Sequence, residues 1–161
     1  MKVSFVALRA LLYSAGFIYL WAWIALDARM FDSRFAIRLP DWTKIAGIIL
    51  MAAGGILALL CLSLFVVRGK GTPAPFDAPR EFVAVGPYRY VRNPMYIGGW
   101  LVLIGFGLLE RSISILLFSF AWLLLAHLFV LVVEERGLEE RFGHSYLEYK
   151  KSVNRWMPVR K

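Results

Sequence analysis

Four mainly apolar stretches divide the chain, and their unequal lengths set the first expectation. Residues 5–26 and 45–67 give runs of 22 and 23. At about 1.5 Å of rise per residue, each is long enough to cross a hydrocarbon core of about 30 Å. Residues 113–133 give 21 more, with His127 as the one ionisable side chain among them. Residues 95–109 offer only 15, a reach of about 22 Å. The Pro94 end of that helix should therefore lie below the headgroups or draw polar residues inward. Only Glu110, Arg111 and Ser112 separate it from the next run, so the last two helices are expected as a tight antiparallel hairpin.

The polar positions fill in the connections. Between Arg68 and Arg92 stand Gly69, Gly71, Pro73, Pro75, Pro79, Gly86 and Pro87, a density that breaks helices and favours turning backbone; this segment reads as a connector and a lid. After Val133, Leu138, Phe142, Tyr146, Tyr149 and Val153 recur at helical spacing among charges, as in an amphipathic helix lying on the cytoplasmic leaflet. The pattern predicts an all-α membrane protein with about four transmembrane helices. It forms one membrane domain over residues 1–161: two N-terminal spans in 1–67, the Pro/Gly-rich cytoplasmic loop in 68–94, and the hairpin with its surface helix in 95–161. Gly54, Gly55, Gly98, Gly99, Gly105 and Gly107 would let these helices approach closely.

Composition agrees, since 60% of the 161 residues are hydrophobic, more than a soluble core absorbs. The 19 basic residues against 11 acidic ones fall between the apolar runs and not along one polar face. They read as loop charges facing anionic lipid headgroups, with no nucleic-acid partner. With both termini in the cytoplasm, Lys2, Arg9, Arg68, Lys70, Arg80, Arg89, Arg92 and the seven basic residues from Arg136 onward lie inside. Arg29, Arg34, Arg38, Lys44 and Arg111 lie outside, a ratio of fourteen to five that favours this orientation in a cell inner membrane. The first run exceeds the roughly 7 to 15 residues of a signal-peptide core, so it is expected to remain as a span. A single cysteine, Cys61, allows no intramolecular disulfide and no cysteine-based zinc site. No HExxH, CxxC, GxSxG or Walker signature occurs, and no metal is expected.

Two clusters carry chemistry. Asn93 and Pro94 form a helix-start signal, with asparagine as the cap and proline at the first position. Arg89 and Arg92 add two charges beside that helix end, whose free amides already favour anions. Glu134 and Glu135 fall where the last span's dipole disfavours carboxylates. Either an ion pair with Arg92 or Arg136 compensates them, or a ligand ammonium or ribose diol does. His127 precedes Glu134 by seven residues, about two turns along the same face, and reads as a hydrogen-bonding partner for a neighbouring helix. Cationic donors and carboxylates at one interface suit a cofactor carrying both signs, such as the amino-acid moiety of S-adenosylmethionine.

The segment Gly86-Pro87-Tyr88-Arg89-Tyr90-Val91-Arg92-Asn93-Pro94-Met95-Tyr96-Ile97-Gly98 is followed by Glu134-Glu135 after the hydrophobic hairpin. Then come Leu138, Phe142-Gly143, Tyr146, Tyr149, Val153, Arg155 and Pro158. In these three ordered blocks, over roughly residues 80–160, the chain resembles the isoprenylcysteine carboxyl methyltransferase and phospholipid methyltransferase superfamily of integral membrane enzymes. The resemblance implies a methyltransferase using S-adenosylmethionine on a lipophilic acceptor that enters from the bilayer. It places Arg92, Asn93, Pro94, Tyr96, Gly98, Glu134 and Glu135 at the cofactor, where the anion-favouring helix end adds Arg89, and Tyr146, Tyr149 and Arg155 in a segment that closes over the active site as catalytic residues. Asn93 stands where the family has histidine, and asparagine cannot titrate. The isoprenylcysteine type is the leading reading of the acceptor and a phosphatidylethanolamine amine the alternative. A non-enzymatic assembly protein keeping the fold would instead pair Arg92, Glu134 and Glu135 with one another and leave no cavity. A nicotinamide-dependent reductase is hard to fit in a chain of this length.

Overall fold

The computed structural model describes residues 3–74, 77 and 79–158; Lys2, Pro75, Arg160 and Lys161, which enter the charge and loop patterns above, lie outside them. Helix α1 (Val3–Ala28) runs into a 3-10 turn at Arg29–Arg34, and α2 spans Thr43–Val67. A further 3-10 turn at Gly86–Arg89 leads to α3 (Pro94–Leu109) and α4 (Ile113–Phe129). A π-helical turn, Val130–Glu134, then joins α4 to α5 (Glu135–Phe142), and α6 (His144–Ser152) follows. The described residues contain no strand. Among them three helical segments, Ser4–Arg34, Thr43–Val67 and Ile113–Phe142, are long and apolar enough to cross a membrane, and α3 is shorter.

The α2–α3 contact is the most extensive in the molecule, and glycine makes it. A Cβ on Gly54 would stand 2.5 Å from the Gly98 carbonyl oxygen, and one on Gly105 would stand 2.6 Å from that of Gly47. The pairs Gly47–Gly105 and Gly54–Gly98 run in opposite order along the two helices, so α2 and α3 are antiparallel with their backbones in direct contact. Close approach of this kind is how apolar helices gain packing where lipid removes the hydrophobic incentive to associate. Gly99 and Gly107 face Trp122 and Leu116 of α4, whereas Gly55 faces open space. Helix α3 is thus wedged between α2 and α4 and packs more on α2 than on its sequence neighbour.

Helix α1 is held at separate points along its length. Val6 and Ala10 pack on Leu62 and Val66, Trp21 lies against Phe118 and Trp122 at ring separations of 5.9 and 6.1 Å, and Arg29 pairs with Glu110 at 2.6 Å. Much of its remaining surface exposes large apolar side chains such as Leu12, Ile18 and Trp23, the surface a bilayer would cover.

The C-terminal segment departs from the expected single surface helix. Backbone conformation stays helical through Glu134 and Glu135, so α5 continues the last span. The chain then breaks at Gly143, where φ is +50° and ψ is −124°, a region closed to side chains with a Cβ. Val153 is already extended. The break folds α6 back, and Phe82 of the Pro/Gly-rich loop inserts among Phe142, Tyr146 and Tyr149 at ring separations of 5.4, 5.9 and 5.1 Å. The Tyr149 hydroxyl donates to the Tyr88 carbonyl at 2.6 Å, and Arg141 to that of Pro79 at 3.2 Å. In this structure the loop is pinned onto α5 and α6.

Candidate functional site

The two carboxylates that follow α4 have different surroundings. Glu135 is buried and gathers three cations. Arg92 Nη2 donates to Oε1 at 2.9 Å, and Arg155 grips both oxygens, Nε to Oε1 at 2.8 Å and Nη2 to Oε2 at 3.0 Å. Lys150 Nζ lies 3.3 Å from Oε2 and 2.5 Å from Glu139. A buried carboxylate is costly unless charge-assisted hydrogen bonds of this quality surround it. Arg92 is equally buried, its side chain 8% exposed. Its backbone N–H donates to the Asn154 carbonyl at 2.9 Å and its Nη1 to that of Lys150 at 3.2 Å, while its Nε is buried with no partner. The hydrogen bond to Glu139 pushes the Lys150 ammonium up, as the bond to Glu135 does the Arg155 guanidinium. The amino end of α3 and the C-terminal tail are therefore locked together through Glu135.

Glu134 accepts one hydrogen bond, from the Tyr96 hydroxyl at 2.8 Å, and joins none of the ion pairs among the described residues. Tyr96 is held by rings, Trp122 at 6.2 Å and Trp156 at 6.4 Å. Trp156 in turn donates its indole N–H to His127 Nδ1 at 2.9 Å. The histidine does act as a hydrogen-bonding partner, but for the C-terminal tail and not for a neighbouring helix. The π turn between His127 and Glu134 widens that part of the helix, so the two do not stack as a regular seven-residue interval predicts.

Other expected site residues are placed less centrally. Asn93 is buried, yet its side chain does not cap α3. Its Nδ2 donates to the Arg155 carbonyl at 3.4 Å, so the first amides of α3 gain no acceptor from it. Pro94 is buried at the first helical position as expected. Gly98 faces α2. Arg89 is exposed and joins none of these contacts, so only Arg92 of the two arginines is buried beside the start of α3; Arg136 is exposed as well. Tyr146 is fully buried between the Phe82 and Tyr149 rings, and burial pushes both phenols up. The Tyr149 hydroxyl is committed to Tyr88.

Lys150 and Trp156 went unnoticed in the sequence, although a tryptophan set among basic residues beyond a surface helix was a usable signal. Arg92 and Glu135 pair as an assembly protein would have them, while Glu134 stands apart with one oxygen accepting from no described residue. That oxygen, the unpartnered Arg92 Nε and the uncapped start of α3 form a set of opposite polarities at one end of the bundle.

The family model described as phospholipid methyltransferase matches residues 42–145. The match takes in α2, which carries no motif legible by eye, along with Arg92, Glu134 and Glu135, and it ends before Tyr146, Tyr149 and Arg155. No curated protein matches the chain.

Proposed function

The chain belongs to the phospholipid methyltransferase family, and on that premise we propose that it transfers a methyl group from S-adenosylmethionine to a lipophilic acceptor reaching the site from the bilayer. In this reading the protein lies in a cell inner membrane with both termini cytoplasmic. The observation that carries the proposal is the half-engaged Glu134, fixed by Tyr96 at 2.8 Å and next in sequence to the Glu135 that holds Arg92, whose Nε is buried without a partner.

These residues fit the cofactor's groups. An ionised carboxylate accepts from an ammonium or from two ribose hydroxyls, which suits the open oxygen of Glu134. Arg92 and the free amides at the start of α3 suit a carboxylate. Bound there, S-adenosylmethionine supplies an electrophilic methyl group on a sulfonium. Tyr96 fixes the rotamer of Glu134, and Glu135 with its three cations fixes the distance between α3 and the tail. The rings of Tyr96, Trp122 and Trp156 exclude water and present faces that tolerate a cation. Acceleration then comes from orientation and a preorganised field more than from proton transfer.

An isoprenylcysteine carboxylate needs no general base at neutral pH, whereas a phosphatidylethanolamine amine must be neutral when it attacks. The test is methyl-labelled S-adenosylmethionine with vesicles carrying one acceptor or the other. Transfer that rises with pH toward the amine pKa marks the amine, and transfer flat above pH 6 marks the carboxylate. Loss of transfer in Glu134→Gln is expected with either. Failure of folded wild type to label any lipophilic acceptor contradicts the reading and favours an assembly protein that keeps the fold.

A further inference from the structure

The end of the bundle away from Glu134 holds a cavity of about 630 Å³ lined by Arg29, Arg38, Lys44 and Arg111 against Asp32 and Glu110. A smaller hollow of about 370 Å³ shares Asp32, Arg38 and Arg111 with it. The carboxylates here are already engaged. Glu110 accepts from Arg29 at 2.6 Å, Asp32 accepts from the Ser114 backbone N–H at 2.9 Å, and Asp41 is shared by Arg111 at 2.7 Å and Lys44 at 3.4 Å. Arg38 pairs with no carboxylate among the described residues. The lining thus keeps an excess of positive charge.

Arg111 adds a second argument. Its φ is +55°, a left-handed conformation that strains a residue with a Cβ and that glycine would adopt freely. An arginine at this turn is placed for its side chain. Its Nε donates to the Leu39 carbonyl at 2.8 Å and its Nη1 to Asp41 at 2.7 Å, which aims the guanidinium along the cavity wall. The loop that closes this end exposes Phe35, Ile37 and Trp42, side chains suited to the headgroup region of a bilayer.

We infer that this cavity binds a phosphate-bearing anion, Arg38 supplying the charge that no carboxylate engages, Lys44 a cation that only shares Asp41 with Arg111, and Arg111 the fixed guanidinium. Arginine and lysine recognise phosphate by charge-assisted hydrogen bonds, and the apolar rim favours the headgroup of an anionic lipid over a free anion. A bound headgroup would reinforce the Arg29–Glu110 and Ser114–Asp32 links that already join the 3-10 turn after α1 to the α3–α4 region. This inference concerns the opposite end of the molecule and stands whether or not the methyltransferase reading does.

The experiment follows thermal unfolding of the full chain in neutral detergent with added phosphatidylglycerol, phosphatidylcholine or inorganic phosphate. Wild type is compared with Arg38→Gln/Lys44→Gln and with a control at the other end, Arg68→Gln/Lys70→Gln. The expected result is protection of wild type and of the control variant by phosphatidylglycerol beyond that by phosphatidylcholine. Apparent affinity should fall on the order of tenfold per cation removed from the cavity. An unchanged midpoint without lipid shows that the cavity variant is folded. Equal protection by inorganic phosphate, with the same dependence on Arg38 and Lys44, keeps the site and assigns it to a free anion. Protection that is absent, or equal in wild type and cavity variant, overturns it.

Discussion

Adjacent glutamates with separate duties are the central feature at the scale of single residues. Glu135 holds Arg92, Arg155 and Lys150 together, and removing its charge strands the buried Arg92 guanidinium. Glu135→Gln should therefore lower stability by about 3–5 kcal/mol, the cost of breaking one partner out of a buried ion pair, read as a fall in the unfolding midpoint. Glu134→Gln retains a carbonyl acceptor for Tyr96 and should leave the midpoint nearly unchanged while abolishing cofactor binding. Tyr96→Phe separates orientation from charge: it should weaken binding by about tenfold, the value of one hydrogen bond to a charged group, without abolishing it. The pair itself was legible, because two carboxylates at a helix C-terminus ask for compensation. Which of them is compensated was not, since the partners Lys150 and Arg155 arrive from beyond a chain reversal at Gly143 that periodicity does not register.

Between elements, glycine position decides the outcome more than glycine number. Gly54 and Gly98 bring two backbones together, and any Cβ there meets main chain within 3 Å, so Gly54→Ala should disrupt the α2–α3 contact and lower the midpoint sharply. Gly55 meets nothing within 4 Å, and Gly55→Ala should be neutral or slightly stabilising, since alanine loses less entropy in a helix. The sequence showed that close approach was available, but not that α3 would spend it chiefly on α2. The C-terminal helix was misread because apolar spacing from Leu138 to Val153 continues smoothly through Gly143. The glycine was itself a helix-stop signal. The π turn ahead of Glu134 leaves no composition by which to recognise it.

Across the whole molecule, charge collects at two ends of an apolar bundle, and each end carries its own proposed site. The apolar runs were legible because lipid imposes length and composition on anything that spans it, and three of the four have the length to cross. The start of the short α3, Asn93 and Pro94, is buried within the protein itself, under the C-terminal tail to which Asn93 donates. Helix α1, touching the rest at separated points, should exchange its amide hydrogens faster than α2 or α3 in lipid nanodiscs, a direct reading of local opening. The central claim is that the open oxygen of Glu134 belongs to a cofactor. It is tested most directly by calorimetric titration of S-adenosylmethionine into the folded full chain, wild type against Glu134→Gln. The account predicts saturable binding to wild type that disappears in the variant at an unchanged unfolding midpoint, and equal binding to both proteins, or none to wild type, would contradict it.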